Sequence, residues 1–126
     1  MTTKNMKKLL TRDEILAVQD RKSVEVEVPE WGGTVRLMPM NGAQRDEFEA
    51  ACTRIQGDGK TSVDIRGLKA RLVSLCVVDD KDNLLFTANE IEALNRKNAM
   101  GLNRVFEVAQ EMNGLGERSV KRALGN

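Results

Sequence analysis

Residues 24–40 read Val-Glu-Val-Glu-Val-Pro-Glu-Trp-Gly-Gly-Thr-Val-Arg-Leu-Met-Pro-Met. Every second residue from Val24 to Val28 is valine, which is the period of a strand with one face on a core and the other in water. Val35 and Leu37 repeat this alternation after a segment in which proline ends a strand ladder and glycine permits the positive φ of a turn. The stretch therefore predicts an antiparallel hairpin whose second strand is Thr34–Pro39.

Side-chain pairing predicts a register for this hairpin. Val28 opposite Val35 aligns the apolar pairs, and the same register places Glu27 opposite Arg36 as an opposite-charge pair. A two-stranded hairpin is marginally stable alone in water, so its apolar face needs a cover. The rest of the chain is predicted to be helical and to supply that cover.

Start signals and apolar periodicity predict the helices. Thr11–Glu14, Asn41–Gln44 and Thr87–Glu90 each have the form of a capping box, in which a polar side chain precedes Glu or Gln by three residues. They open helices that end near Asp20, near Gln56 and after Leu94, and further helices are predicted for about 64–78 and 98–113. The residues expected to face the core are Ile15, Leu16, Val18, Phe48, Ala51, Cys52, Ile55, Ile65, Leu68, Leu72, Val73, Leu75, Cys76, Val77, Val78, Ile91, Leu94, Leu102, Val105, Phe106, Ala109 and Met112.

The predicted fold class is α+β: a mostly α-helical single domain in which one N-terminal antiparallel β-hairpin packs against several helices. Residues 1–10 are expected to form a flexible N-terminal arm, residues 11–114 the globular domain and residues 115–126 a mobile C-terminal tail. A chain of 126 residues is long enough for one domain and one core.

Composition argues against several classes of protein. Charged residues make up 31% of the chain, yet the net charge is only +1, whereas a nucleic-acid-binding protein is expected to be basic. No apolar run approaches the ~20 residues that cross a membrane, and the basic start has too short an apolar part for a secretory signal. We therefore expect a soluble cytosolic protein with no membrane contact.

No pattern of catalytic or metal-binding residues is apparent. The chain has no histidine, which removes the commonest general base and the commonest metal ligand. Gly57–Thr61 resembles the end of a phosphate-binding loop, but the required first glycine is replaced by Arg54. Asp79–Glu90 has the length of a calcium loop, but Lys81 and Leu84 occupy a ligand position and the glycine position. The sequence therefore predicts a protein that is not an enzyme and uses no cofactor or metal.

Cys52 and Cys76 both fall on the apolar stripe of a predicted helix. Cysteine is among the most often buried residue types, and cytosolic thiols are kept reduced. We expect two reduced, buried thiols rather than a disulfide.

Three apolar residues of the hairpin region are candidates for binding a partner. Trp31 is the single tryptophan and lies in a turn, where it either folds back over the helices or anchors a partner. Met38 and Met40 are assigned to the face opposite Val35 and Leu37. They form an adaptable outer contact surface unless the N-terminal arm or the first helix covers them.

A series of short motifs resembles one family. The motifs are the Trp-Gly-Gly turn at 31–33 followed by Val-Arg-Leu, the Asn-Gly-Ala-Gln-Arg helix start at 41–45, Lys-Ala-Arg-Leu-Val at 69–73, Cys-Val-Val-Asp-Asp at 76–80, Leu-Phe-Thr at 85–87, Glu-Ile-Glu-Ala-Leu at 90–94 and Glu-Met-Asn at 111–113 before a basic tail. In this order, over about residues 10–122, the chain resembles the small tail assembly chaperones of long-tailed bacteriophages and related prophage elements.

The resemblance implies a small, mostly helical, non-enzymatic α+β protein of the host cell cytoplasm. Its implied partners are the tape measure protein, a long helical chain that it keeps soluble, and the tail tube protein, whose subunits it helps to recruit. Self-association is left open. The alternative is a small nucleic-acid-binding regulator from the same kind of element, supported by Lys4, Lys7 and Lys8 in the arm and by the basic tail residues Arg118, Lys121 and Arg122.

The hairpin prediction can be tested at Val26. If this side chain faces the core, Val26→Asp buries an unpaired charge and lowers the free energy of unfolding by several kcal/mol. Thermal melting followed by circular dichroism measures the loss. A variant that melts like the parent would place Val26 in water.

Overall fold

The fold combines helices with a three-stranded antiparallel sheet of order β1-β2-β5, as seen in a computed structural model that describes residues 8–55, 61–63 and 67–115. This confirms the predicted α+β class. A second, two-stranded sheet pairs β3 with β4. The elements are α1 (Arg12–Ala17), β1 (Val24–Val28), β2 (Gly33–Leu37), α2 (Gly42–Cys52), β3 (Thr53–Ile55), β4 (Thr61–Val63), α3 (Leu68–Ser74), β5 (Val77–Val78), α4 (Ile91–Asn95) and α5 (Ala99–Met112).

The hairpin forms as predicted, but its register is two residues away from the predicted one. Val28 pairs with Gly33, and Arg36 lies opposite Glu25 rather than Glu27. The cause is a tighter turn: Pro29–Trp31 forms a 3-10 turn that Gly32 closes at φ 73°, so the ladder resumes two residues earlier. Because the side-chain period of a strand is two, this shift leaves the same residues on the core face.

A strand stands where the sequence predicted the end of a helix. The prediction that Val77 and Val78 lie on a helical stripe is wrong, because α3 ends at Ser74 and the two valines pair with Leu37 and Arg36 as β5. Adjacent β-branched residues fit a pleated sheet better than a helix end. After residues 79–83 the chain returns along this strand, where Leu84 bridges to Val78 and Leu85 N donates to Val77 O over 3.1 Å.

The three predicted capping boxes are confirmed, because they depend on local hydrogen bonds. Thr11 and Glu14 form a reciprocal capping box at α1, and Thr87 and Glu90 form another before α4. At α2, Asn41 N donates to Gln44 Oε1 over 2.9 Å and Gln44 N donates back to Asn41 Oδ1 over 2.8 Å. The last helix runs between the caps Asn98 and Asn113, within the predicted bounds.

The core lies between the sheet, α3 and α5. Val26 and Val35 are half-buried against it, on the predicted core face of the hairpin. None of the described helices is long and apolar enough to cross a membrane. The buried cluster consists of Val28, Leu37, Phe48, Cys52, Ala70, Leu72, Val73, Leu75, Cys76, Val77, Leu94, Leu102, Val105, Phe106 and Ala109.

The prediction that Ile15, Leu16 and Val18 reach the core is wrong. α1 contains no buried residue, and each of these three side chains exposes more than half of its surface. Apolar periodicity identifies the apolar face of a helix but does not determine what contacts it. Here the helix ends at Ala17, well before the sheet begins.

The helix predicted to reach Gln56 ends at Cys52. Ala51 is exposed, and Ile55 belongs to β3, where it pairs with Thr61. Residues 56–60 and 64–66, which include most of the glycine-rich loop and Ile65, lie outside the described residues, as do residues 1–7 and 116–126.

Asn113 joins four parts of the fold through short hydrogen bonds. Its Oδ1 accepts from Met40 N over 2.8 Å, and its Nδ2 donates to Ala109 O over 2.7 Å and to Cys76 Sγ over 3.4 Å. Its backbone carbonyl accepts from Arg45 Nη1 over 3.2 Å. The end of α5 is thereby fixed to the chain after the hairpin, to the α3–β5 turn and to α2.

Cys52 and Cys76 are both buried thiols outside any disulfide, as predicted. Burial raises the pKa of the Cys76 thiol to about 11, and the hydrogen bond from Asn113 opposes this rise only in part. Since the ordinary value is 9.0, the stability that Cys76 contributes is complete below pH 9.0 and is lost as the pH rises toward about 11.

We therefore expect a thiol reagent to label Cys76 slowly in native buffer and rapidly after addition of denaturant, because burial restricts access and disfavours the reactive thiolate. Mass spectrometry of labelled peptides separates Cys76 from Cys52. Rapid native labelling of Cys76 at neutral pH would contradict its burial.

Candidate functional site

The search for a site begins with the charged side chains of the described residues. Among them, no cluster of three or more His, Cys, Asp or Glu side chains is placed to hold a metal ion. Ion pairs such as Arg36–Asp82 and Arg45–Glu49 lie at the surface, where charged side chains are ordinarily solvated. The concave apolar regions of the surface are the remaining candidates for a binding site.

Two adjoining pockets form an open apolar groove, here called the Phe86 groove because Phe86 lines both. The first pocket has a volume of about 440 Å³ and the second of about 420 Å³. The first is lined by Trp31, Phe86, Glu90, Ala93, Leu94 and Lys97. The second is lined by Gln44, Glu47, Ala51, Arg71, Ser74, Leu75, Leu84, Phe86, Thr87, Ala88 and Ile91.

Local sequence signals position the middle of this groove. Leu84 bridges to Val78 at the edge of the sheet, which holds the following residues extended. The Thr87–Glu90 capping box then turns the chain into α4, with Thr87 N donating to Glu90 Oε1 over 2.8 Å. Phe86 lies between these two fixed points and remains half-buried. Its ring is thus presented at the surface by rigid neighbours on both sides.

Trp31 forms a wall of the first pocket because its turn is fastened to α5. Arg104 donates to both carboxylate oxygens of Glu30, over 3.1 and 2.7 Å. This hydrogen bonding holds the pKa of Glu30 below its ordinary value. The neighbouring Trp31 is half-buried against the core, as expected if it folds back over the helices. It also lines the groove, so the structure allows both of the roles that the sequence suggested.

A glycine permits the close approach of Trp31 to α5. A Cβ atom at Gly101 would lie 2.8 Å from Trp31 Nε1 and 3.1 Å from Glu30 Cβ. The same indole nitrogen is buried and has no hydrogen-bond acceptor within the described part of the chain. Leaving a buried donor unpaired costs about 1–3 kcal/mol of stability. The packing of the Trp31 ring against Gly101 offsets this cost.

Met38 and Met40 do not form the exposed outer face that was predicted. β2 ends at Leu37, and Met38 is buried with its N donating to Cys76 O over 2.8 Å. Met40 is half-buried against the core. Neither residue lines the Phe86 groove. Their involvement in partner binding stays a prediction, and the structure brings only Trp31 of the three to the groove.

Phe86 is a surface residue that the sequence pattern did not indicate. Its neighbours Ile91 and Leu94 were assigned to the core from their helical spacing, and Leu94 is indeed buried. An aromatic residue between a turn and a capping box was the available signal. That signal does not show which distant residues, such as Trp31 and Leu75, complete the groove.

A second apolar surface lies at the N-terminal side. Residues 9–18, here called the apolar arm, include α1 and contain no buried residue. Each of its large apolar side chains exposes more than half of its surface, namely Leu9, Leu10, Ile15, Leu16 and Val18. An exposed apolar cluster of this kind is typical of a contact surface.

Comparison with known protein families, curated proteins and solved structures found no match to this chain.

The contact between Trp31 and Gly101 can be tested by a double-mutant cycle. Gly101→Ala alone should lower the free energy of unfolding by about 1–3 kcal/mol, because its methyl group meets the indole. In the Trp31→Ala background the same change should be neutral or stabilising, since alanine favours a helix over glycine by about 1 kcal/mol. Denaturant unfolding of the four proteins measures the coupling. Additive effects would show that the two residues do not touch.

Proposed function

We propose that the protein is a non-enzymatic tail assembly chaperone of a long-tailed phage or prophage. In this role it binds the tape measure protein in the host cell cytoplasm and helps to recruit tail tube subunits. The observation that carries the proposal is the Phe86 groove, an open apolar surface on a rigid frame. The family resemblance in the sequence supplies the identity of the client.

The groove suits an amphipathic helical client. Such a helix presents apolar side chains at positions i, i+3, i+4 and i+7, which fall on successive turns of one face. The two pockets flank Phe86, so they can receive side chains from neighbouring turns on either side of its ring. Trp31 and Phe86 supply aromatic contact area. Aromatic side chains such as tryptophan are enriched among the residues that contribute most to binding energy.

Charged residues border the apolar floor of the groove. Glu90 and Lys97 line the first pocket, and Glu47 and Arg71 line the second. A polar rim around an apolar centre is the usual anatomy of a protein interface. Because the rim carries both positive and negative charges, it can form ion pairs with the charged faces of many different helical segments.

A long client lowers the affinity that each individual contact must have. Several chaperone molecules bound along one tape measure chain lie close together, so that weak contacts at neighbouring sites reinforce one another through high effective concentration. A shallow groove on a small domain is sufficient for this purpose. The charged remainder of the surface then keeps the complex in solution.

The alternative function, a nucleic-acid-binding regulator, draws no support from the described residues. Lys4, Lys7, Arg118, Lys121 and Arg122 lie outside them. Lys8 is described, and its Nζ donates to Glu14 Oε2 over 3.2 Å. A gel mobility shift at low salt tests this alternative, because phosphate binding weakens steeply as salt is added.

The proposal predicts that a charge in the groove weakens client binding. Ala93 is exposed and lines the first pocket, so Ala93→Glu should preserve the fold and reduce the affinity for amphipathic tape measure segments at least tenfold, which is about 1.4 kcal/mol. Trp31 is the single tryptophan and lines the same pocket. Its fluorescence during titration therefore reports binding directly.

The matched control is Ala50→Glu, which places the same side chain at an exposed helical alanine outside the groove. It should bind like the parent. Equal affinity of the Ala93→Glu variant and the parent would exclude the Phe86 groove as the client site. Failure of the parent to bind any segment of the tape measure protein would contradict the proposed function itself.

A further inference from the structure

The tripeptide Met-Asn-Gly occurs twice in the chain, at residues 40–42 and 112–114, and these contain its only two Asn-Gly pairs. Asparagine before glycine is chemically labile, because glycine has no side chain to hinder attack by its backbone nitrogen on the neighbouring amide carbon. The two sites therefore share their intrinsic reactivity. The structure places them in different surroundings.

We propose that Asn41 is a site of spontaneous deamidation in the folded protein and that the fold protects Asn113 from the same reaction. The inference goes beyond the proposed function, because it depends only on the two asparagines and their contacts. It assigns a covalent modification site to the start of α2.

The reaction consumes water and needs no other reagent. Gly42 N forms a bond to Asn41 Cγ and loses its proton, while the Cγ–Nδ2 bond breaks and ammonia leaves. The product is a succinimide ring in which Gly42 N joins two carbonyl carbons. Water then adds to one of these carbons and breaks its bond to that nitrogen. Opening at Cγ gives an aspartyl residue, and opening at the main-chain carbon gives an isoaspartyl residue.

At Asn41 the attacking nitrogen and the leaving nitrogen are both unrestrained. Asn41 and Gly42 are exposed, and Gly42 N lies in the first turn of α2, where backbone N–H groups have no intrahelical acceptor. Within the described part of the chain, neither Gly42 N nor Asn41 Nδ2 donates a hydrogen bond. Apart from the chain neighbours of Gly42 and the backbone of α2, no atom lies within 4 Å of the place where its Cβ would be.

The capping box of α2 assists the reaction at Asn41. Asn41 Oδ1 accepts from Gln44 N over 2.8 Å, and a donor at this position stabilises the negative charge that develops on the oxygen as the ring closes. The ends of helices fray. The first turn of α2 can therefore reach the geometry of ring closure while the core stays folded.

At Asn113 the same groups are held in place. Its side-chain amide makes the three hydrogen bonds described above, two from Nδ2 and one to Oδ1. The attacking nitrogen, Gly114 N, donates to Glu111 O over 3.1 Å. Asn113 is also half-buried, whereas Asn41 is exposed. Ring closure at Asn113 therefore requires several hydrogen bonds to open together.

The two products at Asn41 differ in their effect on α2. The aspartyl product keeps an acceptor for Gln44 N and adds a negative charge at the N-terminus of a helix, where such a charge is favourable. The isoaspartyl product lengthens the main chain by one methylene group before Gly42. This extra length falls between α2 and Met40 N, which is bonded to Asn113, and it removes the capping geometry.

Peptide mass spectrometry of the full chain during incubation in mildly alkaline buffer tests the proposal. Trypsin releases the two sites in separate peptides, residues 37–45 and 105–118. In the folded protein Asn41 is expected to deamidate at least tenfold faster than Asn113. A tenfold ratio corresponds to about 1.4 kcal/mol, which is about the net strength of one hydrogen bond, and Asn113 has more than one to open.

The same incubation in denaturant is the matched control. Met-Asn-Gly precedes alanine at one site and leucine at the other, so the two rates in the unfolded chain should agree to within about threefold. Unfolding should thus accelerate deamidation at Asn113 far more than at Asn41. A rate ratio that denaturant leaves unchanged would overturn the proposal, because local sequence would then account for the difference.

The variant Gly42→Ala tests the chemistry at the exposed site. The site has room for the methyl group, and alanine favours a helix over glycine, so the melting temperature should not fall. Because the methyl group hinders attack by the nitrogen of residue 42, deamidation of Asn41 should slow about tenfold or more. Deamidation of Asn113 should not change.

Two further results would contradict the proposal. One is a folded parent in which Asn41 deamidates no faster than Asn113. The other is a Gly42→Ala variant in which Asn41 deamidates at the parental rate. Electron-transfer fragmentation of the 37–45 peptide distinguishes aspartyl from isoaspartyl products, and the succinimide route requires that both appear.

Discussion

The side-chain amide of Asn113 is the constraint on which the arrangement of the sheet and α5 depends. Its oxygen accepts a hydrogen bond from Met40 N, just after the hairpin, and its nitrogen donates one to Cys76 Sγ in the α3–β5 turn. Toward the other end of α5, the missing side chain of Gly101 leaves room for the Trp31 ring, and Arg104 donates hydrogen bonds to the Glu30 carboxylate. The hairpin is therefore attached to α5 at two points, near the two ends of a helix about 21 Å long. This double attachment sets the position of the Trp31 wall relative to Phe86, and so creates the groove.

Features that depend on neighbouring residues were predictable from the sequence. The capping boxes, the faces of the hairpin and the bounds of α5 follow from spacings of two to four residues. The hairpin register did not follow, because it depends on whether Pro29 starts a tight turn. The strand at Val77–Val78 was missed for a different reason: its partner, Leu37, lies 40 positions earlier in the chain, and so short an apolar run does not by itself distinguish a strand from the end of a buried helix.

The candidate site was less predictable than the fold. Trp31 could be identified because a tryptophan in a turn is unusual, but the groove joins four separate segments that only the folded chain brings together. The sequence pattern of the apolar arm gave the opposite error, because it indicated burial where the side chains are exposed. Its leucines, isoleucine and valine have the pattern of a core helix, and their exposure became apparent only from the structure. Both surfaces satisfy the rules of local structure while leaving apolar area exposed, which is typical of contact surfaces.

The position of β1 at the outside of the sheet bears on colloidal stability. Such a strand presents backbone N–H and C=O groups that can template the addition of another chain. Here the strand is only five residues long, and its outward side chains at positions 25 and 27 are both exposed glutamates. Two such strands brought edge to edge would bring like charges together at close range. This repulsion opposes sheet-to-sheet aggregation and directs contacts between molecules toward the helical side of the fold.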